Sequence, residues 1–241
     1  MSIAVFTIKT IPDIDAGRRL YNLHDLSDKE IANVMFYKRR QETENSEFLR
    51  LHLHRVCSLS MSVRNDHGFQ LLNLDGESET ALLQQFYDTI DQHKPSLISW
   101  AGSRFDLPVL HYRSLNHGLR APLHWSESEE AIAPDLQAML TGFTEQADVP
   151  MSELATLQGL PGHMHIGADQ VWDRYRRGGA EQIRHATDTE VLNTHLIYLR
   201  FQLFLGRLDE AQYQAECQMI RDSLSQQQQP HLHEYLSAWS A

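Results

Sequence analysis

Ser96-Leu97-Ile98-Ser99-Trp100-Ala101-Gly102-Ser103-Arg104-Phe105-Asp106-Leu107-Pro108-Val109-Leu110 carries the signals of a buried strand, a turn and the opening of a helix. Leu97, Ile98 and Trp100 follow Pro95, a helix breaker, and read as strand. Gly102 lets the chain turn without a Cβ penalty. Asp106 is placed to cap the following helix, with Pro108 in the first turn, where its missing N–H costs nothing. Alone, such an Asp is a helix cap. It becomes functional if carboxylates from elsewhere in the chain meet it.

The surrounding composition narrows the classes. With 241 residues, 41% of them hydrophobic, the chain can bury one substantial core, or one domain with an appendage. No apolar run approaches the ~20 residues of a membrane span, so no membrane partner is expected. Met1 to Ile8 lacks a basic leader region, and Cys57 and Cys217 stand far apart, which together read as a cytoplasmic, reduced protein. The net charge of −11 opposes tight non-specific binding of nucleic acid, although a local basic groove is compatible with it. Lys38-Arg39-Arg40 and Arg174, Arg176 and Arg177 are the two basic clusters.

In chain order, Ile3 to Ile8 alternates as a strand ended by Pro12, and Asp13 to Leu23 reads as a short helix. Ser27-Asp28-Lys29-Glu30 is a capping box that opens a helix to about Glu42. Val56 to Val63 has strand alternation with small polar residues on its second face. A turn at Asp66-His67-Gly68 leads to a strand over Phe69 to Leu74, predicting an antiparallel three-stranded meander. Ser78 to His93 is an amphipathic helix. After the opening stretch come an acidic loop from Ala121 to Pro134, short helices at Asp135 to Gly142, Met151 to Leu157 and Ala168 to Tyr175, and a long helix from Ala180 to about Leu208. A helix from Glu210 to Leu224, a Gln226 to Gln229 linker and a last helix from His231 to Trp239 follow. The pattern predicts an α/β fold, a mixed sheet flanked by helices.

Val5-Phe6-Thr7-Ile8-Lys9-Thr10-Ile11-Pro12-Asp13, the opening stretch from Ser99 to Leu110, and Glu190-Val191-Leu192-Asn193-Thr194-His195-Leu196-Ile197-Tyr198-Leu199-Arg200-Phe201 resemble three motifs. They are the exonuclease motifs of bacterial DNA polymerase B-like 3′–5′ exonucleases, within the DEDD superfamily. The resemblance implies a ribonuclease H-like domain over residues 1–208. Residues 209–241 lie outside it, as a helical C-terminal extension with a Gln-rich linker. It also implies Mg²⁺ or Mn²⁺ as cofactor: four carboxylates hold two metals that activate water and stabilise the leaving oxygen. Single-stranded nucleic acid is the implied partner. A protein partner, or a homodimer through the C-terminal helices, is a further expectation.

The chain departs from the pattern at the carboxylates. The first-motif Asp and Glu positions hold Thr7 and Lys9. Asp106 remains, and the third-motif Asp position holds Glu190. Ala186 stands where a Tyr is expected, while His185, five residues before Glu190, matches the His-containing version and is a candidate base. These positions hold one cation and two carboxylates, against about four carboxylates for two hard divalent ions. An ammonium about 4 Å from a carboxylate gains about 4 kcal/mol at an effective dielectric near 20. Lys9 is therefore expected to pair with Asp106 or Glu190 where metal would sit.

One reading is a pseudo-exonuclease, an intact fold that binds nucleic acid or protein. The alternative is an active exonuclease on single-stranded DNA or RNA with displaced ligands. Asp106, Asp188, Glu190 and Asp13 would share a metal, with His185 as base. Phe105, Arg104, Lys38 and Arg39 are the candidate nucleic-acid contacts, Phe105 by stacking. Asp135 reads as a helix cap. The pairs His52/His54, His163/His165 and His231/His233 could hold Zn²⁺ or Ni²⁺ if on strands, but in a chain with 14 His they read as surface histidines.

Overall fold

The computed structural model describes residues 2–74, 76–122, 135–144, 147–162, 164 and 166–240. The acidic loop, from residue 123 to 134, and both members of the His163/His165 pair lie outside them. The first strand, β1 (Ile3–Pro12), runs beside β2 (His54–Asn65), and β2 beside β3 (Gly68–Leu74), both antiparallel. The opening stretch supplies β4 (Ser96–Ile98), parallel to β1 on its other side. The order β3-β2-β1-β4 is thus the expected meander with one parallel strand added. β4 is shorter than the apolar pattern suggests. Beyond Ile98 the chain continues only as a single parallel bridge from Ser99 to Asp135.

Helices cover both faces. On one, Ala4, Phe6 and Ile8 of β1 and Leu59, Met61 and Val63 of β2 pack against α3 (Glu79–His93) and α4 (Leu107–His117). Phe86 and Leu83 are fully buried there, each such side chain contributing about 1.5–3 kcal/mol. At the end of that layer α1 (Ile14–Tyr21) and α2 (Asp28–Thr43) close over Leu49 and Leu53. The capping box at Ser27 and Glu30 forms as expected.

The opposite face holds the small helices α5 (Leu136–Leu140), α6 (Met151–Leu157) and α7 (Val171–Arg176), and the long α8 (Ala180–Phe204). Over α8 lie α9 (Glu210–Ser225) and α10 (Pro230–Ala238). Tyr213, Ile220, Leu224, Leu232 and Tyr235 join Val5, Leu192 and Leu196 in one buried cluster. Residues 209–240 therefore complete the core, rather than extend from it, and the glutamine run is a tight connection between α9 and α10. No helix among the described residues is long and apolar enough to cross a membrane.

Alternation on β2 explains how α8 comes so close. Ser58, Ser60 and Ser62 all point at it. They meet Thr187 Oγ1 at 2.9 Å, the Asp188 carboxylate at 2.5 Å and His195 Nδ1 at 2.9 Å. Small hydroxyls admit the helix and satisfy its buried polar groups. Burial drives the His195 imidazole down to about 3, so it stays neutral.

Candidate functional site

The site forms just past the end of β4, where β1 runs on beyond Val5 through Thr7 and Lys9, and the turn after β4 sets its geometry. Gly102–Asp106 is a π-helical turn in which the Ala101 carbonyl receives the N–H groups of Arg104, Phe105 and Asp106. Asp106 therefore enters α4 already helical (φ −61°, ψ −52°), and its side chain caps nothing. That corrects the expected cap. The wide turn instead turns the carboxyl inward, where it accepts from the Ser99 hydroxyl and the Ile8 backbone N–H. Gly102 is not among the residues with positive φ, so the turn owes its shape to the π geometry rather than to glycine's extra freedom.

Burial raises the Asp106 carboxyl to about 7; the Ser99 hydrogen bond opposes this, Glu190 adds to it, the Ile8 N–H opposes it and Asp135 adds again. Glu190, on α8, forms an ion pair with Lys9, whose side chain is only 7% exposed against 25% for Glu190. Thr7, buried, sits opposite Ser60 in the β1–β2 register, and Lys9 opposite Ser58. Immediately after Lys9 the register slips by one residue: Thr10 pairs with Val56, and Cys57 is the extra residue. The Cys57 thiol donates to the Lys9 carbonyl, and burial pushes it up to about 12, so it is inert as a nucleophile.

This donor set does not suit a pair of divalent ions. One carboxylate is taken by an ammonium, another is half-protonated near neutrality, and the remaining two positions offer a hydroxyl and that same ammonium. Among the described residues no three His, Cys, Asp or Glu side chains converge as a metal site.

The residues of the displaced-ligand alternative are engaged elsewhere. Asp188, 1% exposed, accepts from Ser60 and from His231 Nε2 at 3.0 Å. His185 stacks flat on His231, ring centres 3.8 Å apart, and lies 3.9 Å from Glu181. Asp13 caps α1 and forms an ion pair with buried Arg113, which Glu79 also holds. All three side chains are thus engaged within the fold. In the described histidine pairs His54 and His231 are buried rather than at the surface. His54 Nε2 donates to the Leu49 carbonyl at 3.2 Å, leaving Nδ1 to accept from Thr10 Oγ1 at 2.8 Å. His231 and His233 lie on a helix and bond different partners.

Of the expected nucleic-acid contacts, Arg104 is turned to protein acceptors. It bonds Asp148, Gln137 at 2.6 Å and Asp135 at 3.4 Å. Asp135 caps α5 as expected, accepting from Ala138 N–H at 2.9 Å. Arg39 Nε donates to the Phe48 carbonyl at 2.8 Å, and Lys38 lies over the Tyr21 ring at 4.9 Å. Phe105 packs against Phe48 and His54, with ring centres 5.7 and 5.3 Å away.

Nothing in the sequence pointed to the roles of Ser99 and Ser60, to the His231–Asp188 contact or to the pair Asn193–Tyr235. Asn193 donates to the Pro161 and Gly162 carbonyls at 2.9 and 3.0 Å and accepts from Tyr235 at 2.8 Å. A Cβ on Gly162 would lie 2.4 Å from the Ser152 carbonyl, so only glycine lets that loop approach. The serine alternation on β2 was visible, but not the long-range partners it meets.

Comparison with known proteins followed the same lines. A family profile described as a predicted 3′–5′ exonuclease related to the exonuclease domain of PolB matches residues 46–239. The match includes the second and third motifs and both C-terminal helices, and begins after β1. Among solved structures, the family B DNA polymerase from the hyperthermophilic archaeon Pyrobaculum calidifontis shares the fold, with a TM-score of 0.50 and 14% identity. The likeness covers 84% of this chain and 25% of the polymerase. The chain thus spans about a quarter of that protein. No curated protein matches.

Proposed function

The chain belongs to the family of predicted 3′–5′ exonucleases related to the exonuclease domain of PolB, and from that premise we propose that it is a pseudo-exonuclease. In this reading the cleft at Asp106 receives a nucleic-acid strand without hydrolysing it by two-metal chemistry. The observation that carries the reading is the Lys9–Glu190 ion pair beside a protonatable Asp106. An ammonium there repels divalent cations and occupies one of the two remaining carboxylates. Asp188, His185 and Asp13 are bonded elsewhere, so nothing favours the displaced-ligand alternative. The apolar faces of α9 and α10 are buried in one cluster with α8, so we assign the partner to the cleft rather than to those helices. Two free cysteines without a mutual partner fit a reducing compartment such as the cytoplasm.

The test incubates the full chain with labelled single-stranded DNA and RNA in Mg²⁺ or Mn²⁺. The expected result is no metal-dependent cleavage. Robust cleavage that disappears in Asp106→Ala overturns the reading. The double variant Thr7→Asp, Lys9→Glu returns two oxygen ligands, and recovered cleavage would show that the cleft still seats a 3′ end.

A further inference from the structure

We propose that the aromatic side chains of Phe48, His52, Phe105 and Tyr112 form a stacking platform for unpaired bases of a single-stranded nucleic acid. The inference rests on the reading of the cleft as a nucleic-acid site, and it names the surface that engages the strand. Three of these residues lie outside the motifs that mark the family.

Phe48 and Tyr112 are 55% and 44% exposed, and His52 is exposed as well. Phe48 is tilted against Phe105 at 5.7 Å and against His54 at 5.1 Å. His52 meets Tyr112 edge-on at 5.9 Å. The two groups are joined through the chain, because Phe105 lies in the turn that leads into α4 and Tyr112 is the sixth residue of that helix. Phe105 also directly precedes Asp106 in the π-helical turn, so the rings and the buried carboxyl are held by the same segment.

The segment that presents Phe48 is held in place. Thr43 Oγ1 donates to the Ser46 carbonyl at 2.7 Å and accepts from the Ser46 N–H at 2.9 Å. The Phe48 N–H donates to Ser46 Oγ at 3.1 Å, and its carbonyl receives Arg39. Phe48 is therefore exposed at a fixed point of the chain, which lowers the ordering cost of binding.

Charge selects the occupant. Residues 38–55 hold five Lys or Arg against three Glu, a cationic stretch in a chain of net charge −11. Arg50, two residues after Phe48, and Arg40, paired with Glu47 just before it, are 57% and 62% exposed, both in surface ion pairs with Glu that an incoming phosphate can replace. Open aromatic faces beside cations suit a strand whose bases are unstacked and whose backbone is anionic. A duplex keeps its base faces hidden and could not use the rings.

The test is fluorescence anisotropy of the full chain, without divalent metal, with labelled oligothymidylate, oligouridylate and a DNA duplex. Wild type binds both single strands more tightly than the duplex. Phe48→Ser with Tyr112→Ser weakens single-strand binding by at least about tenfold, while Phe48→Tyr with Tyr112→Phe retains it. If wild type binds and the serine variant binds equally well, the platform is wrong and the cleft reading stands. If wild type binds neither strand, both fall. Equal affinity for duplex also overturns the platform. Should the double serine variant fold poorly, Tyr112→Ser and His52→Ser, each at an exposed ring, give the same comparison singly. A surface meant for an apolar protein would show as single-strand affinity insensitive to every one of these changes.

Discussion

Asp106 is the residue at which structure most changes the chemistry. A carboxyl raised to about 7 by burial holds its proton in the folded chain over a range where the unfolded chain, near 3.8, has released it. Folded Asp106 therefore binds more protons than unfolded Asp106 between about pH 4 and 7, and its contribution to stability falls as pH rises through that window. Asp106→Asn removes the titration while keeping a group of the same shape. At about 1.4 kcal/mol per pH unit, the variant should gain about 2–3 kcal/mol on wild type between pH 5 and pH 8. Urea unfolding of both proteins at the two pH values measures it. A difference that does not change with pH would mean that Asp106 is ionised throughout, as a metal-ready ligand is.

At the scale of elements, the long helix α8 and the C-terminal α10 are bonded through buried polar groups. Tyr235 donates to Asn193, and His231 bonds the Asp188 carboxylate, all four residues buried. Tyr235→Phe keeps the ring in the core but leaves the Asn193 carbonyl oxygen without its donor. It should cost about 1–3 kcal/mol in urea unfolding with little change in slope. A loss below about 0.5 kcal/mol would show that α10 is held by apolar packing alone. These contacts also explain what the sequence revealed and what it hid. Strands β1 to β3, the capping box at Ser27 and the long helices follow from local periodicity, and all appear within a few residues of their expected bounds. The Lys9–Glu190 pairing was legible because a family pattern aligned two distant segments. The contacts Asp188–His231 and Ser60–Asp188 join residues 43 and 128 apart, and nothing in local sequence specifies such separations. Asp106 misled for the opposite reason. Its local pattern fits a cap, but burial against Ile8 and Ser99 outweighs the capping bond.

For the whole molecule, the balance of charge predicts how a strand would be held. The chain carries −11, and its cations near the cleft are mostly engaged: Lys9 with Glu190, Arg104 with Asp135 and Asp148, Arg39 with Glu42. Such a surface offers few free phosphate contacts. Each contact on a single strand contributes about −0.7 to the slope of log K against log salt, so affinity carried by stacking should show a slope no steeper than about −2. Anisotropy titrations from about 50 mM to about 200 mM NaCl measure that slope. A groove that tracks the backbone electrostatically would give a slope of about −4 or steeper. That outcome would move the interface away from the rings and toward Arg174 and Arg177 of the second basic cluster, which make no ion pair among the described residues. A shallow slope together with loss of binding in the serine variants would instead tie recognition to base stacking. The same acidic charge that keeps duplex and non-specific polyanions at a distance would then favour strands with unpaired bases.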